Sequence, residues 1–171
     1  MTNEQVNGST TDGQGNGSVN QSIVTAIHPK VLEAVGKMIA EAKARDMAIG
    51  IQSGVRSAAE QDALYAKGRT EPGNIVTNAK AYESWHCLGL AVDITPRNDH
   101  GSFWWPDDSS KWADLGAVGK MFGLEWGGDW KNFPDRPHFQ MRPKINGKAI
   151  DVHQAKFILF RDGLDRLWGM V

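Results

Sequence analysis

Cysteine is nearly absent. Cys87 is the only one in 171 residues, which excludes an intrachain disulfide framework and fits synthesis in a reducing compartment. An excess of charge of either sign is also missing. Lys and Arg total 19 against 20 Asp and Glu, so the formal charge of −1 selects neither nucleic acid nor an anionic membrane as partner. No apolar run approaches ~18 residues, and the N-terminus lacks the basic-then-apolar pattern of a secretory signal. Stable membrane insertion is therefore not expected, and action outside the cell would need another delivery route. What remains, 40% apolar and 23% charged residues, suits one globular domain with a sizeable core.

Residues 2–22, TNEQVNGSTTDGQGNGSVNQS, have almost nothing to bury, so residues 1–22 are expected to be a disordered polar tail and 23–171 the folded domain. His28-Pro29 opens a helix to about Arg45, with Val31, Leu32, Val35, Met38, Ile39 and Ala42 at three- and four-residue steps. AIGIQS (48–53) reads as a strand. Ser57 and Glu60 match a capping box for a second helix, with Gly68 placed to stop it, so Arg56 sits at a strand-to-helix turn. Residues 69–83 read as an irregular loop in which NIVTN is a candidate extended piece. Leu88, Leu90, Val92 and Ile94 alternate with smaller or polar residues as a strand does. A helix capped by Ser110 and stopped by Gly123 follows, then strands LEW and HFQM, then a helix from Asp151 weakened at Gly163. The expected class is α+β, a small, mainly antiparallel sheet flanked by helices.

SWHCLGLAVD (84–93) places His86 and Asp93 seven residues apart, about 10 Å along a helix and more than ~20 Å along a straight strand. Neither separation lets them share a small ligand. Gly89 tolerates the backbone angles of a bend, which would return His86 to the face carrying Asp93. A histidine and a carboxylate then make half of a Zn²⁺ site, which in catalytic centres takes three protein ligands. The competing reading is a loop histidine beside an unrelated surface aspartate.

DRPH (135–138) offers His138 as a candidate third ligand at the start of the HFQM strand, with Gln140 on the same face. Asp135 lies just before it, positioned to accept a proton without binding the metal; alternatively it pairs with Arg136 or caps a turn. Arg56 could steady developing negative charge, or be a solvated arginine at a helix start, where the dipole disfavours it. Cys87 could be a nucleophile, but its apolar neighbours favour a small buried hydrophobe. Trp85, Trp126 and Trp130 flank both clusters and could wall a cleft.

In their order, SGVRS, SWHCLGLAVD, EWGGDW and DRPHFQ resemble the zinc peptidase family of D-alanyl-D-alanine carboxypeptidases and dipeptidases, with S-x-H-x-x-G-x-A-x-D carried by Ser84, His86, Gly89, Ala91 and Asp93. HPKV, the SGVRSAAEQDALYAKGRTEPGNIVTNA block and WGG resemble its L-alanyl-D-glutamate peptidase branch, found among bacteriophage endolysins and bacterial cell-wall enzymes. The likeness runs from about His28 to Met141. It implies zinc bound by His86, Asp93 and His138, Asp135 as general base, Arg56 binding substrate and stabilising the oxyanion, and Ser84 helping to hold substrate. The implied substrate is the peptidoglycan stem peptide, cut between L-Ala and D-Glu by a monomer made in the cytoplasm and released to the wall through a permeabilised membrane. Two departures matter. Aspartate stands at 135 where carboxypeptidase members tend to have glutamate, which favours the endopeptidase branch, and Val55 replaces the tyrosine of SGYRS beside Arg56. The rivals are a zinc D,D-carboxypeptidase and a non-catalytic wall-binding module with a structural metal.

Overall fold

The first helix, α1 (Pro29–Ala44), follows from its ends and its stripe. Proline supplies the first position, and Val31, Ala34, Val35, Met38 and Ala42 form one buried face. The computed structural model describes residues 27–98 and 100–171. The tail expected over 1–22 and the domain start expected at Ile23 lie outside the described residues.

His28, which the sequence marked only as the start of a helix, ties the chain together. Its Nδ1 accepts from the Lys30 amide at 3.1 Å, capping α1, and its Nε2 donates to the Trp168 carbonyl at 3.1 Å. Its own amide donates to the Gly89 carbonyl at 2.9 Å, and Trp168 Nε1 donates to the Leu88 carbonyl at 2.8 Å. The C-terminal helix thereby braces the bend in SWHCLGLAVD. Losing a cap and a buried hydrogen bond costs about 1 kcal/mol each, so His28→Ala is expected to lose roughly 2 kcal/mol, read as a lower urea midpoint at unchanged slope.

Burial lowers the proton affinity of His28, against the pull of the Trp168 carbonyl, so its pKa lies below its ordinary 6.5. The unfolded chain then takes up the proton first, and the stability from the neutral ring, complete above about pH 6.5, is lost as pH falls below it. The wild type is expected to lose more of its urea midpoint between about pH 7.5 and about pH 5.5 than His28→Asn, which keeps the cap; parallel profiles would refute this.

The sheet is antiparallel in the order β1-β2-β4-β3, with β1 Ile49–Ser53, β2 Ala91–Pro96, β3 Glu125–Trp126 and β4 His138–Gln140. Leu90, Val92, Ile94 and Phe139 are fully buried in one core with Val35 and Met38 of α1 and Trp112, Leu115 and Val118 of α3 (Ser109–Met121). Alternation turns Asp93 and His138 to the opposite face. The β2–β4 register sets Asp93 directly across from His138, and β1–β2 sets Ser53 across from Asp93.

Several expectations shift. The strand anticipated from Leu88 begins at Ala91, because Trp85–Leu88 form a 3₁₀ turn closed by Gly89 at φ 68°. The second helix, α2 (Ala58–Ala66), keeps its expected capping box and stop, with Lys67 as C-cap and Gly68 just past it at φ 71°. NIVTN is not a strand. Asp108 rather than Ser110 caps α3, its carboxylate accepting from the Ser110 amide at 2.8 Å. Asp151 and Gln154 cap α4 (Val152–Asp162), and Gly163, at φ 87°, does more than weaken it: α5 (Leu164–Trp168) is separate. The hairpin β5 (Lys144–Ile145) with β6 (Lys148–Ala149) was missed, although Asn146-Gly147 between them is a strong turn signal, both with positive φ.

Candidate functional site

The bend delivers His86 as the face of β2 requires. Ser84 caps the 3₁₀ turn, its Oγ accepting from the His86 amide at 3.4 Å, and the left-handed angles of Gly89 reverse the chain into β2. His86 Nδ1 donates to the Gly54 carbonyl at 2.7 Å, which leaves the Nε2 lone pair facing Asp93 Oδ1 at 3.2 Å. His138 Nε2 donates to Gln140 Oε1 at 2.9 Å, which leaves the Nδ1 lone pair 3.6 Å from the same oxygen. The two free ring nitrogens lie 3.2 Å apart.

This triangle is a test for a cation. Two lone pairs and a carboxylate oxygen cannot hydrogen-bond one another without an added proton, so the arrangement favours a positive charge among them. A tetrahedral ion with bonds of about 2.0–2.1 Å sets its ligands roughly 3.3–3.4 Å apart, and edges of 3.2, 3.2 and 3.6 Å match that face. Two imidazoles and one carboxylate are a borderline donor set suited to zinc, whereas magnesium and calcium prefer all-oxygen shells. The acceptors that orient both rings are Gly54 O and Gln140 Oε1, the outer support such ligands need.

Electrostatics agree. Burial opposes ionisation of Asp93, but the adjacent His86 and His138 outweigh it and hold the carboxyl far below the usual carboxylate range. Burial also opposes charging His138, yet Asp93 raises its proton affinity above the ordinary value.

Asp135 is placed by Gly127. The Gly127 carbonyl accepts from the Asp135 amide at 3.0 Å, and a Cβ on Gly127 would lie 2.5 Å from the Asp135 carbonyl oxygen and 3.0 Å from His138 Cβ. The WGG motif is thus a close approach. Among the described residues the Asp135 carboxylate forms neither the anticipated pair with Arg136 nor a turn cap. Burial first, and the Asp93 charge second, raise its proton affinity.

Arg56 is not solvated. Its side chain is 18% exposed, with Nη1 donating to Gln61 Oε1 at 2.7 Å and Nη2 3.6 Å from Asp93 Oδ2. Asp93 therefore faces the histidines with one oxygen and Arg56 with the other. Gln61 escaped the sequence reading; it is the one buried residue of α2, and its Nε2 donates to the Ala79 carbonyl at 2.7 Å. A polar residue on the inward face of a short helix was the available signal.

Arg56, Ser84, His86, Asp93, Asp135 and His138 all line a single cleft of about 960 Å³. Trp85 and Trp130 wall it, the Trp130 ring 5.0 Å from that of His138. Trp126 does not: its ring packs over Gly116 and Gly128, and its Nε1 donates to the Arg136 carbonyl at 2.6 Å. Trp105 takes a place on the wall instead. Cys87 is half-buried rather than buried and lies outside the cleft; burial raises its thiol pKa, the wrong direction for a nucleophile.

Residues 77–141 match a peptidase M15 family described as D-alanyl-D-alanine carboxypeptidase. The chain is 40% identical over 124 residues to the peptidoglycan L-alanyl-D-glutamate endopeptidase CwlK of Bacillus subtilis, covering 68% of this chain and 74% of that protein. It is 35% identical over 69 residues to the L-alanyl-D-glutamate peptidase of Listeria phage A118, 40% of this chain and 25% of that protein. The crystal structure of the Serratia marcescens L-Ala D-Glu endopeptidase ChiX shares the fold at a TM-score of 0.55 and 22% identity, over 72% of this chain and 86% of that one.

Proposed function

The chain belongs to the M15 family of metallopeptidases, and from that premise we propose that it is a zinc-dependent endopeptidase hydrolysing the L-alanyl-D-glutamate bond of the peptidoglycan stem. The observation that carries the reading is the triangle of His86 Nε2, Asp93 Oδ1 and His138 Nδ1, which would hold the ion. Zinc bound there supplies Lewis acidity, polarising a carbonyl and lowering the pKa of a coordinated water to about 7.

The remaining steps belong to the protein. Asp135, with raised proton affinity and no competing partner among the described residues, accepts the proton of the attacking water and returns it to the leaving amine of D-Glu. Arg56, pinned by Gln61 and Asp93, faces the carbonyl oxygen as negative charge develops there. Ser84 lies in the cleft wall, where its hydroxyl can bind substrate while capping the turn that carries His86. The likeness to a phage enzyme of that name supports a further step, a role in host-cell lysis.

The family description favours a second reading, a D,D-carboxypeptidase. Digestion of purified peptidoglycan followed by identification of the new termini separates the two. New N-terminal D-Glu is expected; released D-Ala would establish the alternative, and no product would leave a wall-binding module.

A further inference from the structure

Glu125, Gln140 and Arg142 form the end of the cleft wall beyond His138. Arg142 meets Glu125 in an unusual way: its Nε donates to both carboxylate oxygens, at 2.8 Å each. A guanidinium usually grips a carboxylate with two parallel N–H groups. Here one N–H is shared between two oxygens, and Glu125 Oε2 also accepts from Gln140 Nε2 at 3.1 Å. The acid is thus engaged from two sides, and the guanidinium is oriented through Nε alone. Among the described residues, Nη1 and Nη2 of Arg142 have no hydrogen-bond partner, and the side chain is 34% exposed. Arg56, the other guanidinium of the cleft, is committed to Gln61 and Asp93, and Glu83 is committed to Lys156 at 3.2 Å.

We propose that Nη1 and Nη2 of Arg142 form a subsite for a carboxylate of the stem peptide, apart from the reacting carbonyl. The inference rests on the endopeptidase reading and deepens it. An open planar fork, held in place by its third nitrogen, loses little freedom when it closes on a carboxylate, and it discriminates against a neutral amide of the same shape. Two carboxylates of a stem peptide share this chemistry: the one D-Glu keeps free, and the one on a diaminodicarboxylic acid further along.

The test compares kcat and KM of the full-length zinc-loaded wild type, Arg142→Gln and Arg142→Lys on three synthetic stem peptides. One has both carboxylates free, one has D-Glu amidated, and one has the diamino acid amidated. For Arg142→Gln, a rise in KM of about 10- to 100-fold on the free peptide is expected, with kcat nearly kept. Amidating the carboxylate that Arg142 reads should cost the wild type a similar factor and cost Arg142→Gln little more; which amidation does so identifies the source. Arg142→Lys, which keeps charge but not the fork, should fall between.

Equal losses on all three peptides would overturn the inference, because they are what a purely structural prop for Gln140 and His138 predicts. A fall confined to kcat would overturn it too. A wild type that cleaves none of the peptides at the L-Ala–D-Glu bond would overturn the endopeptidase reading and this inference with it.

Discussion

Asp135→Asn is expected to bind zinc at wild-type stoichiometry while hydrolysing peptidoglycan about 100- to 10,000-fold more slowly, the range general-base catalysis contributes. The separation of the two readouts follows from the geometry. The three inward donor atoms belong to His86, Asp93 and His138, and the Asp135 carboxylate is not among them. Asparagine keeps the shape and the backbone bonds through which Gly127 and His138 hold the loop, namely Asp135 N–H to Gly127 O at 3.0 Å and His138 N–H to Asp135 O at 3.2 Å. What it removes is a carboxylate whose affinity for a proton is raised, chiefly by burial and then by the charge on Asp93. Metal analysis and release of new N-terminal D-Glu are measured on the same preparation. Wild-type turnover would end the assignment of Asp135 as base, and loss of zinc would make it a ligand instead.

His138→Ala should lose metal and activity together. Removing one corner leaves Asp93 and His86, too few for a catalytic zinc site. In the wild type, chelation should abolish hydrolysis and zinc should restore it. Zinc that binds only the folded state stabilises it by about 2.7 kcal/mol at 100 times its Kd, so the metal-free wild type should melt higher as zinc is added and His138→Ala should not. Acid should weaken the wild-type site. Although burial opposes a charge on His138, Asp93 holds its pKa above the ordinary 6.5, so a proton competes for Nδ1 and zinc affinity should rise with pH through and beyond that value. Cys87→Ala, outside the cleft, should retain activity. Activity that survived chelation but not Cys87→Ala would turn the mechanism into thiol chemistry.

Much of this site could be read before any coordinates, because its local parts obey local rules. Gly89 was the one residue in SWHCLGLAVD able to bend the chain freely, and it does so at φ 68°. Alternation put His138 and Gln140 on one face, where they are hydrogen-bonded at 2.9 Å. Where local reasoning failed, a long-range contact had won. Trp126 lies between the two motifs in sequence, yet packing over Gly116 and Gly128 turns its ring from the cleft. Gln61 reads as an ordinary polar helix residue until Arg56 and Ala79 arrive to surround it.

By itself the sequence determined the residue types able to hold a metal, the capping boxes at Ser57 and Asp151, the α+β class and the bend, since each depends on side chains a few positions apart. Only the tertiary structure decided which nitrogen of each histidine faces inward, because the Gly54 carbonyl lies 32 residues before His86 and Gln140 is itself held by Glu125. It also decided that Asp93 stands across from His138, through the register of two strands some forty residues apart. Shifting that register by one residue would turn the His138 strand over and dismantle the triangle with no change in sequence.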